Sequence, residues 1–127
     1  MPSYIDANFI VKAYTNNQDN VRCRERLNKG SLVTNPVAVV EAWQALMRIL
    51  GNELANKAIL DLLRRDVAVI KSGPSLIHEA VRKQPRYGLD AFDTLHLASA
   101  QSSGCDEILT FDNDLLRIRT EPPSRQP

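Results

Sequence analysis

Five acidic residues stand at positions where a carboxylate has little packing value: Asp6, Glu41, Asp90, Asp93 and Asp112. Carboxylates brought together repel one another and resist leaving water, so a fold that gathers several of them carries a cost that a bound cation offsets. Hard divalent ions such as Mg²⁺ or Mn²⁺ choose oxygen ligands and keep part of their water shell, so a set of acids without a histidine or cysteine cage matches that class of ion. Plainer roles stay open for each acid alone: Asp6 and Asp90 as helix N-caps, Glu41 as a surface charge, Asp112 as an Asx turn. Glu41 is the least expected, because it falls among Val37, Ala38, Val39, Val40, Ala42 and Trp43, on what reads as a core-facing position. Asp90 and Asp93 share one helix face near its start, where the helix dipole favours negative charge. His96 lies one turn after Asp93, but a single histidine in an apolar run reads as packing, and His78 carries still less signal. Asp114, in the turn after Asp112, reads as solvent-exposed.

The elements that must position these groups follow from periodicity and capping. Ser3-Tyr4-Ile5 is a short extended run into Asp6, and Ala7, Ile10, Val11 and Tyr14 then recur at helical spacing. A polar helix is expected from about Val21 to Asn28, stopped by Gly30, and Ser31 to Thr34 forms a second strand. Asn35-Pro36 reads as an N-cap followed by a first-turn proline, opening a helix to Gly51, with another from Asn52 carrying Leu54, Ala58, Ile59, Leu62 and Leu63. Asp66 to Ile70 makes a third strand, Ser75 to Lys83 a helix, and Gln84-Pro85-Arg86-Tyr87-Gly88 a loop. Asp90 to Ser102 reads as the clearest amphipathic helix, with Phe92, Leu95, Ala98 and Ser99 along one side. Glu107 to Thr110 is a fourth strand and Asn113 to Leu116 a helical turn. Strands alternating with helices imply an α/β fold, a three-layer α/β/α sandwich around a mainly parallel sheet. Ligands of such sheets bind beyond the carboxyl ends of the strands, which is where Asp6 and Asp112 fall.

At 127 residues the chain fits one domain, expected over residues 1–120, with 121–127 a polar, disorder-prone tail. Hydrophobic residues at 43% and charged residues at 24% match an ordinary globular protein. No apolar run is long enough for a membrane span and no signal-peptide pattern opens the chain, so a cytoplasmic location is expected. Cys23 and Cys105 lack metal or disulfide-framework spacing and read as buried thiols. A net charge of +1 makes the whole molecule no electrostatic magnet for nucleic acid. Local basic groups, such as Arg22, Arg24, Arg26 and Lys29, or Arg82, Lys83 and Arg86, read first as solvated faces.

Four segments in order, Tyr4-Ile5-Asp6-Ala7-Asn8, Val40-Glu41-Ala42, Phe92-Asp93-Thr94-Leu95-His96-Leu97-Ala98-Ser99-Ala100 and Leu109-Thr110-Phe111-Asp112, span nearly the whole chain. In this pattern the chain resembles the PIN-domain nucleases, and among them the VapC-like toxins of toxin-antitoxin pairs. The resemblance implies a PIN-like fold and a Mg²⁺- or Mn²⁺-dependent endoribonuclease with Asp6, Glu41, Asp93 and Asp112 as catalytic metal ligands. It also places Asn8 and Thr110 on supporting polar positions, with Asp90 a further ligand, a neighbour of the ligands or a helix cap. Implied partners are an RNA substrate, a second copy of the chain and a cognate antitoxin, whose basic side chain would enter the acidic pocket. The helices beginning near Val21 and Asn52 are the expected contact elements, since Leu54, Ile59, Leu62 and Leu63 exceed what a short helix needs for a core stripe.

Three other readings compete. An aspartyl-nucleophile phosphohydrolase requires a second Asp where this chain has Asn8. A Rossmann or P-loop protein requires a glycine-rich loop after the first strand, where Asp6-Ala7-Asn8-Phe9 stands instead. A catalytically inactive PIN-like binding or scaffold module would be marked by loss of one or more of the acids, all of which are present.

Overall fold

The computed structural model describes all residues from Met1 to Pro127. Its strands alternate faces along a two-residue period. Tyr4, Val33 and Ile108 point to one side of the sheet, and Ile5, Leu32, Val67 and Leu109 to the other. All five strands, β1 (Ser3–Ile5), β2 (Leu32–Thr34), β3 (Val67–Val69), β4 (Glu107–Leu109) and β5 (Ser124–Arg125), are parallel, in the order β3-β2-β1-β4-β5. A parallel sheet must be covered on both faces because its crossovers are helical. Here α1 (Ala7–Ala13), α2 (Asn20–Lys29), α3 (Pro36–Leu50) and α4 (Asn52–Arg64) cover one face, and their buried residues join Ile5, Phe9, Ile10 and Leu109 in the larger core. On the opposite face, α6 (Ala91–Ser102) and α7 (Asn113–Arg117) pack on Tyr4, Val33 and Ile108, with α5 (Pro74–Tyr87) laid against α6. This is the three-layer α/β/α sandwich, with an all-parallel sheet of five strands where the sequence outlined four.

The expected caps are made. Asn35 accepts the Ala38 N–H at 2.8 Å with Pro36 at the first helical position, and its amide also donates to Ser99 Oγ at 2.9 Å. Gly51, at φ 83°, ends α3 and begins α4 in a single residue, a backbone turn that a side chain resists.

Four expectations need correction. The loop expected at residues 84–88 is helical through Tyr87, because Pro85 in the final turns removes only one backbone bond. Gly88 then caps α5 in the left-handed region, donating to Gln84 O at 2.9 Å. The helix at 91–102 has no single apolar side: Asp93, Thr94, His96, Leu97, Ala98, Ser99 and Ala100 are all buried while Phe92 is exposed, since the sheet and α5 both pack on it. The polar tail at 121–127 carries β5, held by Ile108 N–H to Pro123 O at 2.8 Å and Thr110 N–H to Arg125 O at 3.0 Å. Backbone pairing at a sheet edge does not require apolar side chains, so composition gave no sign of it. On α4, Ile59 and Leu62 fill the core, leaving Leu54, Leu60 and Leu63 as its exposed apolar groups.

Cys23 and Cys105 are free and buried, and burial pushes both thiols up to about 11. No helix is long and apolar enough to cross a membrane.

Candidate active site

The chain leaves β1 to build β2 and β3 on one side, then returns to place β4 on the other, so the strand order reverses beside β1. Such a reversal opens a crevice at the carboxyl ends of the two neighbouring strands. Asp6 follows β1 and Asp112 lies just past β4, so the register itself brings them together.

Three of the acids are fixed as the N-caps of helices. Asp6, in extended backbone, caps α1 by accepting the Phe9 N–H at 3.1 Å through Oδ1. Its Oδ2 accepts from Thr110 Oγ1 at 2.5 Å, and the same threonine oxygen accepts the Asp112 N–H at 3.0 Å. Thr110 therefore ties the two acids into one unit. Asp112 caps α7 through the Asp114 N–H at 2.8 Å and the Leu115 N–H at 3.4 Å. Asp90 caps α6 through the Asp93 N–H at 2.8 Å, one of the alternatives its position left open. Three helix N-termini thus face the crevice, and their dipoles partly compensate the concentrated negative charge.

A hollow of about 160 Å³ is lined by Asp6, Ala7, Asn8, Glu41, Asp90, Phe92, Asp93, His96 and Asp112. The structure brings together Asp6, Glu41, Asp93 and Asp112, with Asn8 and Asp90 on the same walls and Thr110 behind them. Glu41 is half-buried at the edge of α3, so its position is a rim and not the core site that its apolar neighbours in sequence suggested. No Lys or Arg lines the hollow. Burial pushes Asp6 above the ordinary carboxylate range, against the Thr110 hydrogen bond. Burial first, then the nearby Asp112 and Asp90 charges, raise Asp93 to about 7.

Two carboxylate oxygens, Glu41 Oε1 and Asp93 Oδ2, are buried without any hydrogen-bond partner. Orphaned anionic oxygens are costly and rare in folded proteins. Their place on the lining of one hollow, among further carboxylates, fits a hard divalent cation.

Two features were not legible in advance. Ligand atoms of Asp93, Asp112 and Asp114 lie within 4.8 Å of one another, so Asp114, although exposed, belongs to the tightest acidic group. The signal was the Asp112-Asn113-Asp114 spacing at a helix start, which sets two carboxylates on one turn. Asp6 and Glu41 line the hollow outside that tight group. The second is His96, which packs as expected but also lines the hollow. Its Nδ1 lies 2.8 Å from the Tyr4 hydroxyl, and its Nε2 lies 3.6 Å from Glu41 Oε1, beyond hydrogen-bond reach. Burial pushes the Tyr4 hydroxyl far up, so it stays neutral, and its contact with Nδ1 fixes the imidazole beside Glu41.

Comparison with known proteins comes to the same architecture. A family model described as PIN domain matches residues 3–121. No curated protein matches the sequence. Among solved structures, the chain is similar to VapC20 of Mycobacterium tuberculosis, a sarcin-ricin loop cleaving toxin, at TM-score 0.76 and 18% identity over 88% of this chain and 91% of that one. It is also similar to VapBC2 of Rickettsia felis bound to promoter DNA, at TM-score 0.73 and 16% identity over 99% and 98%. PAE2754 of Pyrobaculum aerophilum aligns at TM-score 0.69 and 20% identity over 92% and 84%. At these identities the likeness is one of fold.

Proposed function

The chain belongs to the PIN-domain family, and from that premise we propose that it is a metal-dependent endoribonuclease, the toxin of a toxin-antitoxin pair. The observation that carries the reading is the pair of buried, unpartnered oxygens on Glu41 and Asp93, facing a hollow that no basic side chain lines. Asp6, Glu41, Asp93 and Asp112 would hold Mg²⁺ or Mn²⁺, with Asp114 beside them. A divalent cation supplies there a lowered pKa for an attacking water and neutralisation of charge on the scissile phosphate.

The remaining work falls to the chain itself. Thr110 fixes the orientation of Asp6 and the backbone of Asp112 at once, so the ligand oxygens are preorganised. The α6 N-terminus adds a positive partial charge where a phosphate would enter. Tyr4 holds the His96 ring in place beside Glu41 at the rim. Asn8, exposed at the mouth, is placed to meet the RNA strand.

An antitoxin and a second copy of the chain are the proposed partners, supported by neighbours that include a toxin-antitoxin complex from Klebsiella pneumoniae. A guanidinium entering the hollow would satisfy the same oxygens that a cation does. The exposed Leu54, Leu60 and Leu63 of α4, with Val21 on α2, offer apolar surface for one of these contacts.

The test is cleavage of defined single-stranded RNAs with Mg²⁺ or Mn²⁺ and with EDTA, by the wild type, Asp6→Asn and Asp93→Asn. Cleavage is expected only from the wild type with metal. RNA binding without cleavage by the wild type would instead mark an inactive binding module.

A further inference from the structure

Phe92, the residue just before Asp93, is 54% exposed. A single exposed aromatic is ordinary, but this ring borders three hollows at once. They are the acidic hollow, an apolar groove between α5 and α6, and an open cleft of about 680 Å³ along α3. The cleft and the acidic hollow share Glu41 and Phe92 as a common wall, so a strand whose phosphate occupies the hollow can reach the cleft with its neighbouring nucleotide.

The cleft carries a particular set of groups. Val37 and Val40 form an aliphatic floor. Gln44 and Arg48 follow Glu41 at three and seven residues along α3, one face of the helix, carrying the wall about 10 Å from the acids. Neither side chain is engaged in a hydrogen bond, and Arg48 makes no ion pair. A free aromatic face, a free amide and a free guanidinium are the groups by which proteins hold unstacked nucleotides: stacking, edge contacts and phosphate pairing. The groove between α5 and α6, with Ile77, Val81 and Leu95, is more apolar and suits a protein partner better.

Resting on the nuclease reading above, we infer that the α3 cleft is the subsite for the nucleotide adjoining the scissile phosphate of single-stranded RNA. Its base stacks on Phe92, Gln44 meets the base edge or ribose, and Arg48 pairs with the next phosphate. A base inside a duplex is stacked on both sides and cannot present its face to Phe92, so the subsite selects loops and single strands.

The experiment uses the full chain and short uridine-rich RNAs carrying 2-aminopurine at each position in turn, titrated in EDTA so that the strand stays intact. At one position the wild type should change the 2-aminopurine fluorescence. Phe92→Leu should abolish that change and weaken binding about 5- to 100-fold, the range that loss of one base stack produces. Phe92→Trp should restore both, and Arg48→Met should weaken binding and flatten its salt dependence. Wild-type affinity and fluorescence in Phe92→Leu would overturn the subsite. A Phe92→Leu protein that changes oligomeric state in light scattering while binding RNA normally would also overturn it, and mark the cleft as a protein-docking face. Cleavage in Mn²⁺ is measured alongside: a wild type that neither binds nor cuts RNA defeats the nuclease reading itself, whereas a wild type that cuts, with Phe92→Leu unchanged, defeats the subsite alone.

Discussion

The acids of this protein fall into two populations that the fold treats in opposite ways. Away from the crevice, each acid with a shifted pKa has a partner. Lys12 and then Arg22 hold Asp19 below its ordinary range, Tyr14 and Arg65 do the same for Asp61, and Arg125 does so for Glu107. At the carboxyl ends of β1 and β4, Asp6 and Asp93 have no cation and are pushed upward instead. A chain with 16 Lys+Arg for 15 Asp+Glu had basic groups enough to pair them. Leaving these few acids unpaired concentrates a deficit of positive charge in one place, the property of a site and not of a scaffold.

The sharpest contrast between the populations comes from neutralising one acid in each. Asp93→Asn should lower metal-dependent RNA cleavage by about 100-fold or more, since it removes a ligand to the cation that stabilises the transition state. The apo protein should be as stable as the wild type or more so, because a repulsive, desolvated charge is gone. Glu107→Gln should do the reverse, losing a little stability and no activity. Initial rates and thermal melts on both variants decide; a stable, fully active Asp93→Asn would erase the distinction.

Metal itself should act on one population only. Saturating Mn²⁺ at about 100 times its dissociation constant would stabilise the native state by about 2.7 kcal/mol. That corresponds to several degrees in Tm for a domain of this size. The shift should vanish in Asp93→Asn and persist in Glu107→Gln. Equal shifts in all three proteins would place the cation elsewhere.

The pH dependence should also divide by region. Asp93, raised to about 7 in the folded state, holds its proton there while the unfolded chain has lost it. The metal-free protein should therefore lose stability as pH rises from about 4 to about 7 and level off above. Glu107, Asp19 and Asp61, lowered in the folded state, contribute stability that is present above the ordinary carboxylate range and lost as pH falls below about 4. Urea titrations in EDTA across this range should show the first slope in the wild type and its loss in Asp93→Asn. A wild-type slope unchanged by the substitution would assign the proton to another group.

What the sequence disclosed followed the same division. Strand and helix starts were legible because Asp6, Asn35-Pro36, Gly30 and Gly51 are local signals, and a cap acts on its own next three residues. The meeting of Asp6 and Asp112 was legible because a parallel sheet fixes which strand ends meet, while Glu41 and Asp93, which lie on helices, were joined to them by the resemblance to PIN-domain nucleases. Non-local facts were not. Nothing near Glu121-Pro122-Pro123 announces that the tail pairs with β4, and nothing around residues 91–102 tells that the sheet and α5 both pack on that helix. Pro85 misled because its cost depends on how close it stands to a helix end that Gly88 sets. Asp114 was assigned to solvent, where it does lie, but solvent exposure does not remove a carboxylate from an open pocket.

The smallest expected effect lies where the two regions touch. Arg125 is mostly exposed and pairs with Glu107 across the β4–β5 edge, while the backbone carbonyl of the same residue accepts the N–H of Thr110, the threonine that ties Asp6 to Asp112. Arg125→Ala removes the ion pair but keeps that carbonyl. Exposed pairs contribute about 0–1 kcal/mol, and Glu107 keeps the Ser3 hydroxyl at 2.6 Å as a donor. Stability should therefore fall by less than about 1 kcal/mol, and cleavage should stay at the wild-type rate. Hydrogen exchange at Thr110 is the discriminating measurement. If its amide stays protected in Arg125→Ala, the edge strand is held by its backbone and the paired acids are independent of the pocket. If protection is lost and cleavage falls with it, β5 is part of what positions Asp6, and the boundary between scaffold and site must be drawn one strand further out.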